Sequence, residues 1–178
     1  MTVDPVLSLV ALLLLAAIFA TAAVTKLKEP GVFAGVVEQY ELLPHGFVRP
    51  FAYALPILEL AAALGLLLPA TRAPAAAVLI LLLLAFAGAM AVNLARGRSN
   101  IDCGCFIDLL RQRISWALVV RNLVLAGFGL ALLTGDTGRS LAPLDWFTVL
   151  MGAGSLLVLY GATGRLFGLA PPAARHSG

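Results

Sequence analysis

Five long apolar runs, about 6–24, 48–68, 75–94, 115–133 and 143–162, fix what this chain can fold into. Each is near the roughly 20 residues that a helix needs to cross a bilayer's hydrocarbon. In hydrocarbon every backbone N–H and C=O must be satisfied inside its own segment, so such runs become helices. Only 12% of the 178 residues are charged, against roughly 25% in soluble domains, and the mean hydropathy is +1.01. The class is an all-α integral membrane protein. Its net charge of +3 comes from basic residues at the ends of the runs, with no basic stripe interleaved with aromatics, which argues against nucleic-acid binding.

The first run is read as a retained span. Ala20-Thr21-Ala22 looks like a cleavage site, but no Lys or Arg precedes Val6 and the run exceeds a typical signal-peptide core. After Lys26 and Lys28, Pro30 suits the first turn of a new helix. From there Val32, Phe33, Val36, Val37, Tyr40 and Leu43 share one face, with Glu38, Gln39 and Glu41 off it. The pattern predicts a short amphipathic helix over 31–43, too polar to span. The expected domain is a single helical unit over 1–164, followed by a flexible Pro/Ala/Gly-rich tail over 165–178. Trp116, Trp146 and Tyr160 fit interfacial belts.

With five crossings, Arg72 and Arg139 fall on one side of the membrane. Lys26, Lys28, Arg49, Arg96, Arg98, Arg111, Arg113, Arg165 and Arg175 fall on the other. The positive-inside rule places that second side in the cytoplasm of a bacterial-type inner membrane.

Both cysteines lie on that side, in Asp102-Cys103-Gly104-Cys105-Phe106. A disulfide across one residue closes a small ring, and Gly104 lets the backbone bend that far. Strained geometry makes such a bond easier to reduce, so the pair reads as reactive rather than structural. Arg96, Arg98, Arg111 and Arg113 favour thiolate, while Asp102 and Asp108 oppose it. Two thiolates also suit a soft metal such as Cu(I), with Met90 the nearest methionine and His45 a distant third ligand. Zinc needs more ligands than the sequence offers. A third reading is a non-enzymatic subunit that docks a redox partner.

Glu59 and Arg121 each stand inside a span, where a charge costs at least about 2.5–3.5 kcal/mol at the bilayer centre. At about 1.5 Å per residue they lie roughly 15 Å and 9 Å below the cysteine side, so the spacing predicts a Glu59–Arg121 pair that Lys26 joins. Asn122 is a candidate donor to the backbone carbonyl that Pro56 frees. Lys26, Glu59, Arg121, Asn122 and the cysteines thus converge on one end of the bundle. The 100–113 loop and the amphipathic helix are expected to roof a pocket there.

Asp102-Cys103-Gly104-Cys105-Phe106, followed by Ile114-Ser115-Trp116 and Arg121-Asn122, resembles the MauE group of the MauE/DoxX-like redox-associated membrane proteins. Lys26, Tyr40-Glu41-Leu42-Leu43-Pro44 and Leu55-Pro56-Ile57-Leu58-Glu59-Leu60 fit the same pattern. The resemblance covers about 6–133 and departs at Ile107, where the family often has Gly. It implies a four-helix-bundle core to which the fifth span is an addition. It also implies thiol–disulfide chemistry in the membrane, with Cys103 and Cys105 exchanging electrons with a thioredoxin-like protein or a small thiol. A quinone is a candidate cofactor, and Lys26, Glu59, Arg121 and Asn122 shape the adjoining pocket. The group's namesake is associated with maturation of methylamine dehydrogenase, a disulfide-rich target outside the cytoplasmic membrane. A cytoplasmic cysteine loop agrees with that if electrons are relayed across the bilayer, if the partner is cytoplasmic, or if the charges serve the site rather than the topology.

Overall fold

The computed structural model describes residues 3–104, 112–134 and 139–169, with side chains to residue 163. Within them the chain forms six helices: α1 (Pro5–Lys28), α2 (Pro30–Gln39), α3 (His45–Gly65), α4 (Arg72–Ala95), α5 (Trp116–Ala131) and α6 (Pro143–Leu169). Among the described residues there is no strand; one antiparallel bridge pairs Asp102 with Arg113.

Local chemistry explains the ends. The Asp4 carboxylate accepts from the Val6 N–H at 2.9 Å, and Pro5 opens α1 where a missing N–H costs nothing. Lys26 and Lys28 close α1, next to its carbonyl-rich end. Pro30 opens α2 in the same way as Pro5 opens α1. The amphipathic helix is therefore present but shorter than 31–43, ending at Gln39; Glu41 then turns the chain at φ 49°.

Four helices, α1, α3, α4 and α6, are long and apolar enough to cross a membrane, which makes this a multi-pass membrane protein. The expected count was five. The remaining apolar helix, α5, has 16 residues, or about 24 Å at 1.5 Å per residue, shorter than the roughly 30 Å of hydrocarbon.

Buried side chains of α1, α3, α4 and α5, among them Leu15, Ala63, Leu66, Leu79, Leu83 and Leu125, form the main core. α1 is central, packing against α3, α5, α6 and α2, while α4 packs mainly on α5. Small residues let these helices approach closely, as in membrane bundles generally. A Cβ added at Gly129 of α5 would stand 2.7 Å from Ile80 Cγ1 of α4 and 3.7 Å from Leu15 Cδ1 of α1. α6 lies outside this core against α1, with Leu144, Phe147, Leu150, Val158 and Leu159 exposed. It runs to Leu169, past the expected end at 162 and into the segment read as tail. At the end opposite the cysteines, Arg139 reaches Asp4 at 3.5 Å, so the start of α6 sits beside the start of α1.

Candidate functional site

The segment after α4 turns at Gly97 (φ 74°) and extends to the cysteine motif. Two backbone hydrogen bonds join it to the strand-like stretch before α5: Cys103 N–H to Gln112 O at 2.7 Å, and Ile114 N–H to Ile101 O at 2.9 Å. Ile101 and Ile114 are buried against Met90 and Leu118, anchoring this base to α4 and α5. Cys103, half-buried, is thereby held at a fixed place. Gly104 follows at φ +73°, in the left-handed region that glycine tolerates. Its missing side chain matters twice: a Cβ there would be 2.9 Å from Val36 Cγ1 and 3.4 Å from the Phe33 ring. The amphipathic helix α2 packs directly on the cysteine motif. Cys105, with Asp108 and Arg111, lies outside the described residues.

Between α2, α3 and α4 lies a cavity of about 560 Å³, with Cys103 in its wall. Among the described residues its lining is apolar apart from Cys103 and Tyr40, and no charged side chain takes part. The Tyr40 hydroxyl is 3.5 Å from the Cys103 carbonyl, and Cys103 Sγ is 4.0 Å from Met90 Sδ. The cavity's polar end is therefore the cysteine end.

Lys26 and Glu59 meet in the interior. The ammonium donates to Glu59 Oε1 at 2.5 Å, with side-chain exposures of 2% and 1%, which leaves no water to screen the pair. Lys26 Nζ also stands 5.1 Å from the centres of both the Phe33 and Phe86 rings, a cation–π arrangement. These two rings line the cavity, so the ion pair sits one layer behind its wall rather than in it.

The expectation was a Glu59–Arg121 pair joined by Lys26, and Lys26 makes the buried bond to Glu59. Arg121 Nη1 donates to Gln112 Oε1 at 3.1 Å, and its guanidinium lies 4.7 Å from the centre of the Tyr160 ring. Its link to Cys103 runs through Gln112, whose carbonyl accepts from the Cys103 N–H. Asn122 is buried but donates to Leu118 O at 2.9 Å, back along its own helix, rather than to the carbonyl freed by Pro56. His45 is exposed and 3.1 Å from Glu38 Oε1, a surface contact rather than a metal ligand. Among the described residues no group of three or more His, Cys, Asp or Glu side chains is placed to hold a metal.

Sequence reasoning missed Asn93 as a clamp. Fully buried, it donates to Tyr40 O at 3.2 Å and to Ala89 O at 3.1 Å. Arg98 adds hydrogen bonds to Gln39 O at 3.0 Å and Glu41 Oε1 at 2.8 Å, so α4 and the turn after it together grip the end of α2. The available signal was an amide at the end of the most apolar run, where a polar side chain needs a partner.

The profile of the family described as methylamine utilisation protein MauE matches residues 4–135. The chain belongs to the MauE family. That match spans α1 to α5 and the whole cysteine segment. The methylamine utilization protein MauE of Methylorubrum extorquens is 42% identical over 163 residues, covering 90% of this chain and 87% of that protein. The MauE of Paracoccus versutus is 44% identical over 165 residues, covering 91% and 86%. That of Paracoccus denitrificans is 40% identical over 156 residues, covering 87% and 84%. No solved structure matches the chain.

Proposed function

We propose that this MauE family member is a membrane thiol–disulfide redox protein of methylamine utilisation. Cys103 and Cys105 cycle between dithiol and disulfide and exchange electrons with a thioredoxin-like protein or small thiol through a mixed disulfide. That exchange supports disulfide formation in, or maturation of, a partner enzyme such as methylamine dehydrogenase. The observation that carries this reading is the seating of Cys103. Its backbone is pinned to Gln112, its neighbour Gly104 turns in the left-handed region, and its side chain stays half-buried at a cavity wall. Structural cysteines lie sealed in apolar surroundings; reactive ones are held at accessible edges.

α5 serves as a fifth crossing in this reading. It shares the main core with α1, α3 and α4, and the Asp4–Arg139 contact sets α6 to start at the N-terminal end. The cysteine loop then faces the cytoplasm of the inner membrane, by the excess of Lys and Arg on that side.

Thiol trapping in intact cells tests this, with one membrane-permeant and one impermeant maleimide. The expected result is a Cys103/Cys105 pair whose oxidation state follows the thiol and disulfide donors supplied. The impermeant reagent should reach it only in inverted vesicles. Cysteines reduced under every condition would overturn the redox assignment; labelling in right-side-out cells would overturn the orientation.

One observation favours a second reading. Cys103 Sγ and Met90 Sδ, 4.0 Å apart, offer two soft donors of the kind Cu(I) selects. Stoichiometric copper in the purified protein, lost in Met90→Leu, would favour that reading.

A further inference from the structure

We propose that the cavity between α2, α3 and α4 is a quinone site, its head group seated at Cys103 and Tyr40 and its tail directed toward Leu58 and Leu82. The electron-transfer half of this rests on the dithiol reading above; the binding half does not.

Four features define the occupant. Its size of about 560 Å³ falls within the roughly 300–1,000 Å³ of small-molecule sites. Its route of entry is the bilayer: Phe51, Ala54 and Leu58 of α3 and Ala85 of α4 line the cavity while remaining exposed on helices long enough to span. A ligand arriving there must partition into hydrocarbon. Among the described residues the lining carries no charged side chain, so it suits a neutral head and offers nothing to a phospholipid's charged one. Finally, the polarity is confined to one end. Tyr40 and Cys103 lie there, with the Phe33 and Phe86 rings also in the lining, against which a planar ring can stack. From Met90 to Leu82 the cavity follows α4 for about 12 Å, all of it lined by aliphatic or aromatic groups, which is room for the start of an isoprenoid tail.

The chemistry balances without a further reactant. Oxidation of the Cys103/Cys105 dithiol forms one S–S bond and releases two electrons and two protons. A quinone takes up both pairs to become a quinol, which leaves by the same lateral opening.

The test uses the purified full-length protein in nanodiscs with an azido-quinone photolabel. A quinone bearing a decyl tail serves as competitor and decylbenzene as control. Saturable labelling of α2, α3 or α4 peptides, blocked by the decyl quinone but not by decylbenzene, is the expected result. Ala54→Trp and Ala85→Trp fill the cavity and should each weaken competition about tenfold or more. Ile57→Trp, on an exposed position outside the lining, should not. Labelling that never saturates, that decylbenzene blocks equally, or that survives both filling variants overturns the site.

The single variant Cys105→Ser should make no quinol when the wild-type protein, supplied reduced, does. Wild-type protein that binds quinone and exchanges with soluble disulfides, yet makes no quinol, overturns the transfer step alone. Cysteines inert to every thiol and disulfide overturn the proposed function, with quinone binding unaffected.

Discussion

Replacing Lys26 with Met should be among the most damaging single changes in the bundle. The Lys26–Glu59 pair is cut off from water, so deleting the ammonium leaves a carboxylate in the interior with its counter-charge gone. Losing one partner of a buried ion pair costs about 3–5 kcal/mol. The loss of the two ring contacts, each about 0.5–2 kcal/mol, falls within or adds to that figure. Glu59→Gln should cost less, about 1–3 kcal/mol, because an amide oxygen still accepts from Lys26 and the two rings still hold the cation. The double variant Lys26→Met/Glu59→Leu removes both charges and fills the space with apolar atoms. Such replacements are often near neutral, so it should be more stable than either Lys26→Met or Glu59→Leu. The coupling energy should therefore reach about 2 kcal/mol or more, toward the upper end of values for residues in contact. Equilibrium unfolding of purified protein by SDS titration in mixed micelles measures all four. If the two single costs simply add in the double variant, the pair is not a coupled unit and the reasoning fails.

Gly104→Ala should strain the cysteine motif and push α2 away, costing about 1 kcal/mol or more. Faster alkylation of Cys103 would report it, and Val36→Ala in the same chain should restore part of the loss, since Val36 Cγ1 is the atom met. Asn93→Leu should free the α2 end, at about 1–3 kcal/mol for the carbonyl left without its donor; limited proteolysis around residues 40–44 should then quicken, and unchanged cleavage would argue against the clamp. Gly129→Ala should overpack the α4–α5–α1 crossing by about 1–3 kcal/mol. In an Ile80→Ala background, which removes the Cγ1 atom met at 2.7 Å, Gly129→Ala should cost less in the same unfolding titration.

Hydropathy along the chain was enough to reveal the all-helical class, most helix positions and the amphipathic segment after α1. Each depends on residues adjacent in sequence: twenty apolar side chains in hydrocarbon, or a proline at a helix start. It was also enough to show that Glu59 and Arg121, as charges amid apolar runs, need partners. Which partner each takes was not legible. Depth along a helix follows from counting residues, but each residue also turns the helix by about 100°, so a shared depth leaves the facing direction open. Arg121 lay within about a side chain's length of Glu59 in depth; it donates to Gln112 and lies over the Tyr160 ring, while Lys26 faces Glu59 across α1 and α3.

What the sequence alone determined, then, is a membrane-embedded helical chain whose two cysteines sit in one short polar loop between apolar runs. Tertiary packing decided that α2 folds onto that loop, that Asn93 holds it there, and that a neutral cavity opens beside Cys103 with the ion pair one layer back. Cavities and clamps are made by side chains from different helices meeting at particular rotations. No single run of residues carries that information, because the free energy deciding it belongs to the contacts between runs.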